Sequence, residues 1–126
     1  MQEHQHHDQL VGGLSRQLKT VFEESEQGIY LYLDDNHKVC NKRFASLLGY
    51  DSPQEWAKVT ESVLDTFVAE KSQETLASAF QNAMERAVAS VNPIVWKKRN
   101  GGEVQTTVIV VPVIYEEHPM ALHFVW

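Results

Sequence analysis

The chain has a single cysteine, Cys40, among 126 residues, so no internal disulfide can form and an apolar core must hold the fold. Basic residues are scarce as well: 11 Lys and Arg stand against 17 Asp and Glu, a formal charge of −6. That balance supplies no positive field for phosphates or anionic lipid headgroups, and neither direct nucleic-acid binding nor a membrane partner is expected. No apolar run approaches the roughly 20 residues of a bilayer span, and none has the flanks of a signal peptide. Together with the lone thiol, this points to a cytoplasmic setting. The motifs of common catalysts are also missing. There is no nucleophile elbow and no His-Glu-x-x-His, and Gly12-Gly13 and Gly101-Gly102 each lack the rest of a phosphate loop. His4, His6 and His7 cluster in a polar stretch where no cysteine or carboxylate partner completes a tetrahedron. No metal site is read there, and residues 1–9 are expected to form a disordered tail.

What is present is 43% hydrophobic residues, enough for one compact core and too few positions for a second domain. Val11, Leu14, Leu18 and Val21 recur at three, four and three residues, the spacing of a short coiled-coil seam, which predicts an amphipathic helix over 10–26. Gly12 and Gly13 weaken its first turn. The seam wants a partner, either a second helix or the chain's own sheet, and the pattern leaves both open.

From Gly28 the period becomes two: Ile29, Leu31 and Leu33 alternate with Tyr30 and Tyr32, a strand covered on both faces. Asp34, Asp35 and Asn36 make a polar turn into a short strand, His37 to Cys40. Asn41 caps a helix that buries Phe44, Leu47 and Leu48, with Gly49 at its left-handed end. Ser52, Pro53 and Glu55 form a capping box, and a longer helix runs from Ser72 to Ala89 until Asn92 and Pro93 stop it. Strands at Ile94 to Arg99, Val104 to Tyr115 and Met120 to Trp126 close the chain as an antiparallel meander. Two strands, helices, then three strands with short connections imply an α+β fold with the helices on one sheet face.

Strand alternation sends Lys97, Arg99, Gln105 and Thr107 to water and leaves Ile94, Trp96, Thr106, Val108 and Val110 toward the helices. Leu31 and Leu33 are read as the inward set of the first strand, facing Phe44, Leu48, Phe80 and Met84. These residues other than Val110, with His123 as a polar handle, are the candidate ligand-binding set. A completely filled core is the competing outcome.

These residues also carry a family resemblance. Gly28-Ile29 through Asp34, then Val39, Asn41, Phe44 and Leu47-Leu48-Gly49-Tyr50, resembles the opening half of a PAS domain. Lys98-Arg99-Asn100-Gly101 before a strand ending in Pro112-Val113 is similar to that family's final hairpin. The resemblance covers Phe22 to Trp126. It implies a five-stranded antiparallel sheet in the order 2-1-5-4-3, a pocket under the helices, and a sensory role in signal transduction rather than catalysis. The expected partners are a small apolar ligand, or a partner protein or effector module of kinase, cyclase or DNA-binding type. A homodimer is also expected, built from Val11, Leu14, Leu18 and Val21 with an outward face of Tyr30 and Tyr32.

The cofactor is unknown. A flavin adduct is not expected, because Cys40 precedes Asn41 on a strand rather than lying on a helix after Gly49-Tyr50. Haem is not expected either, because the helix from Ser72 to Ala89 has no histidine. The alternative function is a small pocket enzyme of the ketosteroid isomerase-like type, in which Asp34 or Asp65 with Tyr32 would move a proton.

Overall fold

The architecture grows from its turns. A computed structural model describes residues 2–126, with side chains from residue 6 onward. Strand β1 (Gly28–Asp34) enters β2 (His37–Cys40) through Asp35-Asn36, where Asp34 Oδ1 accepts from the Asn36 amide at 3.0 Å. Asn41 then opens helix α3 (Lys42–Leu47) and knots the region together. Its Oδ1 accepts from the amides of Phe44 and Ile29, both at 2.9 Å, and its Nδ2 donates to the carbonyls of Phe22 and Gln27 at 3.2 and 3.0 Å. Gly49 ends this helix at φ +87°, a conformation that costs other residues a Cβ clash.

Helix α4 (Pro53–Ala57) is capped by Ser52, whose Oγ accepts from the Glu55 amide at 3.1 Å. The reciprocal half of the expected box is altered: the Glu55 carboxylate accepts from the Asp51 amide at 3.0 Å and also takes Arg99. A short helix α5 (Val63–Phe67), capped by Ser62, escaped the sequence pattern because one turn of helix has too few residues to show a period. Helix α6 (Glu70–Arg86) ends at Ala87 with φ 55°, before the expected end at Ala89.

Asn92 and Pro93, expected to terminate the helix, lie instead inside β3 (Ser90–Lys97). The sheet order β2-β1-β5-β4-β3 makes β3 an edge, where proline's missing N–H leaves no ladder bond unmade. The last hairpin joins β4 (Glu103–Tyr115) to β5 (His118–Val125) through Glu116 and Glu117 alone. Their φ values of 49° and 71° are both positive, as a two-residue turn matched to strand twist requires. Every pairing in the sheet is antiparallel.

Helices α3 to α6 cover one sheet face, with Phe44, Leu48, Trp56, Phe67, Ile94, Trp96, Val108 and Val110 in the core between. On the opposite face lies α1 (Gln2–Gln17), continued after Leu18 by α2 (Lys19–Glu24). The stretch expected as a tail is thus helical from Gln2; the side chain of His4 lies outside the described residues. Leu10, Val11 and Leu14 bury against Ile29, Leu31, Met120 and Leu122, forming a second, smaller core. Gly13 packs against the Tyr115 ring, and a Cβ there would require that side chain to shift.

This packing decides one reading that the sequence left open and reverses another. The helix seam covers its own sheet, so Val11 and Leu14 are buried within the chain, Leu18 packs at the edge, and Val21 is exposed. The faces of β1 are also reversed. Leu31 and Leu33 lie under α1, whereas Tyr30 and Tyr32 face the helices and are no external face for a dimer. Both faces of β1 are covered, so alternation alone could not say which set was which.

Candidate functional site

The inner face of β1 and β5 carries the site. Register places Tyr30 opposite His123 and Tyr32 opposite Ala121, and His123 opposite Val110 on β4. The His123 imidazole lies on the Tyr30 ring with centroids 3.9 Å apart and planes 11° apart. Phe44, Trp56 and Trp96 pack around the same tyrosine with centroids 4.7, 5.6 and 5.8 Å away. Burial pushes the Tyr30 phenol well above its ordinary range.

Beside this stack is a cavity of about 120 Å³, lined by Tyr30, Tyr32, Val63, Leu64, Leu76, Ala77, Phe80 and His123. Tyr32 meets Phe80 edge-on at 5.2 Å, and its hydroxyl donates to Asp35 Oδ1 at 2.7 Å. Asp35 Oδ1 also accepts from the Val63 amide at 3.0 Å, so one carboxylate ties the cavity rim to α5. Burial, then that hydrogen bond, raises the Tyr32 phenol. The walls are otherwise apolar. The polar exception is His123: burial pushes its imidazole down to about 3, against backbone hydrogen bonding at Tyr30 and Ala121 that works to raise it. A neutral imidazole gives these walls one heteroaromatic contact.

Of the candidate ligand set, Phe80 and His123 reach this cavity. Phe44, Leu48, Ile94, Trp96 and Val108 fill the adjoining core, and Met84 packs at its edge. Thr106 is occupied as well, accepting from Trp96 Nε1 at 2.9 Å and donating to the Ile94 carbonyl at 2.8 Å. Tyr30 and Tyr32 were missed because the faces of β1 were exchanged. Val63 and Leu64 were missed along with α5. Neither Asp34 nor Asp65 lines the cavity, and Asp65 is exposed on α5, so the proton-transfer constellation of the enzyme alternative is not assembled there. Cys40 is buried, and its thiol is pushed up to about 12 by that burial.

A second cluster lies outside the cavity, where α1 crosses the β1–β2 turn. His37 is buried, with Nδ1 2.6 Å from Asp34 Oδ1 and Nε2 3.6 Å from Asp8 Oδ1. His7 Nδ1 lies 3.2 Å from the other Asp34 oxygen. Burial works to raise the Asp34 carboxyl, but hydrogen bonding and charge from His37 outweigh it and hold the group below its ordinary range.

No protein-family model matches the chain, and no curated protein matches it. Solved structures do. A PAS domain from Colwellia psychrerythraea matches with a TM-score of 0.70 at 18% identity, covering 90% of this chain and 95% of that one. The PAS domain of an HTR-like protein from Haloarcula marismortui matches at TM-score 0.62 and 20% identity, covering 92% and 93%. A domain of a sensory box sensor histidine kinase/response regulator from Geobacter sulfurreducens matches at 0.60 and 15%, covering 88% and 92%. The chain has the PAS fold. Among the described residues no helix is long and apolar enough to cross a membrane.

Proposed function

We propose that this is a sensory signalling domain that takes a single-ring apolar ligand beside Tyr30 and His123 and relays its presence to α1. The cavity carries this reading: a space of about 120 Å³ among Tyr32, Leu76, Phe80 and His123 matches one aromatic ring, since an engineered apolar cavity of about 150 Å³ in another protein binds benzene. It is small beside the roughly 300–1,000 Å³ of sites that enclose drug-sized molecules, which disfavours haem or flavin. A ring nitrogen or hydroxyl set against the His123 ring would distinguish a heterocycle or phenol from a plain hydrocarbon.

The relay follows from the sheet being one strand thick between the two cores. Tyr30 faces the cavity, while its neighbours Ile29 and Leu31 lie with Leu10, Val11 and Leu14 of α1. A ligand that moves the Tyr30–His123 stack therefore acts on the footing of α1 through adjacent residues of β1. The sensor-kinase source of one structural neighbour supports a linked effector of that kind.

Thermal shift with a panel of indoles, phenols and pyridines tests the reading, with Ala77→Phe as the variant that fills the cavity. Binding should raise the wild-type melting temperature by mass action and leave Ala77→Phe unmoved. Hydrogen exchange in residues 2–17 should change on binding. Equal shifts in both proteins, or none in either, would show that the cavity is not a ligand site.

A further inference from the structure

We propose that His7, Asp34 and His37 form a binding site for a divalent transition-metal ion, which cross-links α1 to the β1–β2 hairpin. The three residues come from three elements, α1, β1 and β2, and one ligand atom from each lies within 4.8 Å of the others. The Asp34 carboxylate stands between the rings, with one oxygen 2.6 Å from His37 Nδ1 and the other 3.2 Å from His7 Nδ1. Ligand atoms around a tetrahedral zinc with bonds of about 2.0–2.1 Å lie about 3.3 Å apart, so small rotamer changes bring these atoms to bonding distance.

The surroundings suit the chemistry. His37 is 6% exposed and its backbone is held in β2, so one ligand is already fixed in place. If Nδ1 binds the ion, Nε2 is left 3.6 Å from Asp8 Oδ1, a few tenths of an ångström short of the carboxylate–histidine hydrogen bond that orients a metal-bound ring and raises its basicity. Coordination through Nδ1 requires that nitrogen to be unprotonated, so binding releases to solvent any proton it carries. His7 and Asp34 are partly exposed, which gives the ion a route in and leaves a coordination position for water. Two imidazoles and one carboxylate favour Zn²⁺, Co²⁺, Ni²⁺ or Cu²⁺ over Mg²⁺ or Ca²⁺, which prefer all-oxygen shells. The sequence alone excludes such a site only because the carboxylate and the third ligand lie 27 and 30 residues beyond His7.

Titration of the untagged full chain with CoCl₂, followed by visible absorption and calorimetry, tests the proposal. One ion per chain should bind with the absorption of cobalt in a low-coordinate nitrogen and oxygen site. Zn²⁺ should displace it and slow hydrogen exchange in residues 2–17. His37→Ala and Asp34→Asn should each weaken binding about tenfold or more. Asp34→Asn keeps an oxygen acceptor for the turn and so remains informative where His37→Ala fails to fold. The neighbouring pair His6 Nε2 and His118 Nε2, 3.3 Å apart, is the control. Absence of cobalt binding would overturn the proposal. Wild-type affinity in Asp34→Asn would also overturn it, placing the ion on the N-terminal histidines alone or, if His118→Ala abolishes binding, between His6 and His118.

Discussion

The imidazole of His123 and the phenol of Tyr30 stack face to face across adjacent strands, 3.9 Å between centroids. Neither ring has room for a hydrated charge. The stack is the floor of the cavity and also the point at which the inner core touches the strand that supports α1.

Acid stability should report His123 directly. Its folded imidazole is pushed down to about 3, against about 6.5 for the unfolded chain. The unfolded state therefore takes up a proton that the native state refuses as pH falls below 6.5, and stability is lost through that window down to about 3. The slope from this one group approaches about 1.4 kcal/mol per pH unit. Urea denaturation of wild type and His123→Leu between pH 7 and pH 4 checks it. The variant should show the shallower dependence, and equal slopes would mean that the ring is charged or hydrated in the fold.

Leu14 and Val21 belong to the same helical stripe but should respond oppositely to charge. Leu14 is 8% exposed over the outer sheet face, whereas Val21 is 44% exposed. Leu14→Asp should cost about 3 kcal/mol or more, and Val21→Asp about 0.5 kcal/mol or less, by chemical denaturation. A Leu14→Asp protein that keeps its stability but changes mass in light scattering would assign the stripe to contact between chains.

Removing Asn41 should be the costliest polar substitution in the domain. Its side chain satisfies the amides of Ile29 and Phe44 and the carbonyls of Phe22 and Gln27. Asn41→Ala is expected to lose roughly 2 to 4 kcal/mol, and Asn41→Ser, which retains the helix cap, a smaller amount. Thermal denaturation that ranks the two variants the other way would show that the cap contributes nothing, and an Asn41→Ser protein as stable as wild type would show that the cap alone matters.

Lys38 should behave as a structural cation. Its ammonium is buried, donates to the carbonyls of Asp35, Ala57 and Val59, and sits 5.2 Å from the centre of the Trp56 ring. Lys38→Met preserves the stem but strands those carbonyls, so amide exchange over residues 57–62 should accelerate and stability should fall by about 1 to 3 kcal/mol. Unchanged exchange there would mean that water serves the carbonyls equally well.

Local chemistry along the chain determined the β1–β2 hairpin, the Asn41 and Ser52 caps, the left-handed Gly49 and the long β4–β5 pairing, because each depends on backbone rules acting over a few residues. The order of the sheet was legible too, through the family resemblance that the structural neighbours bear out. The faces of β1 were decided only by tertiary structure, since Tyr30 and Leu31 are both apolar enough to bury and the outcome depended on which layer each met. The helical state of residues 2–9 was decided there as well, because a polar stretch gains order from what it touches, and His7 and Asp8 touch Asp34 and His37. The same distance in sequence hid the His7, Asp34 and His37 cluster: ligand spacing is readable within one element, but ligands contributed by separate elements meet only when the chain has folded.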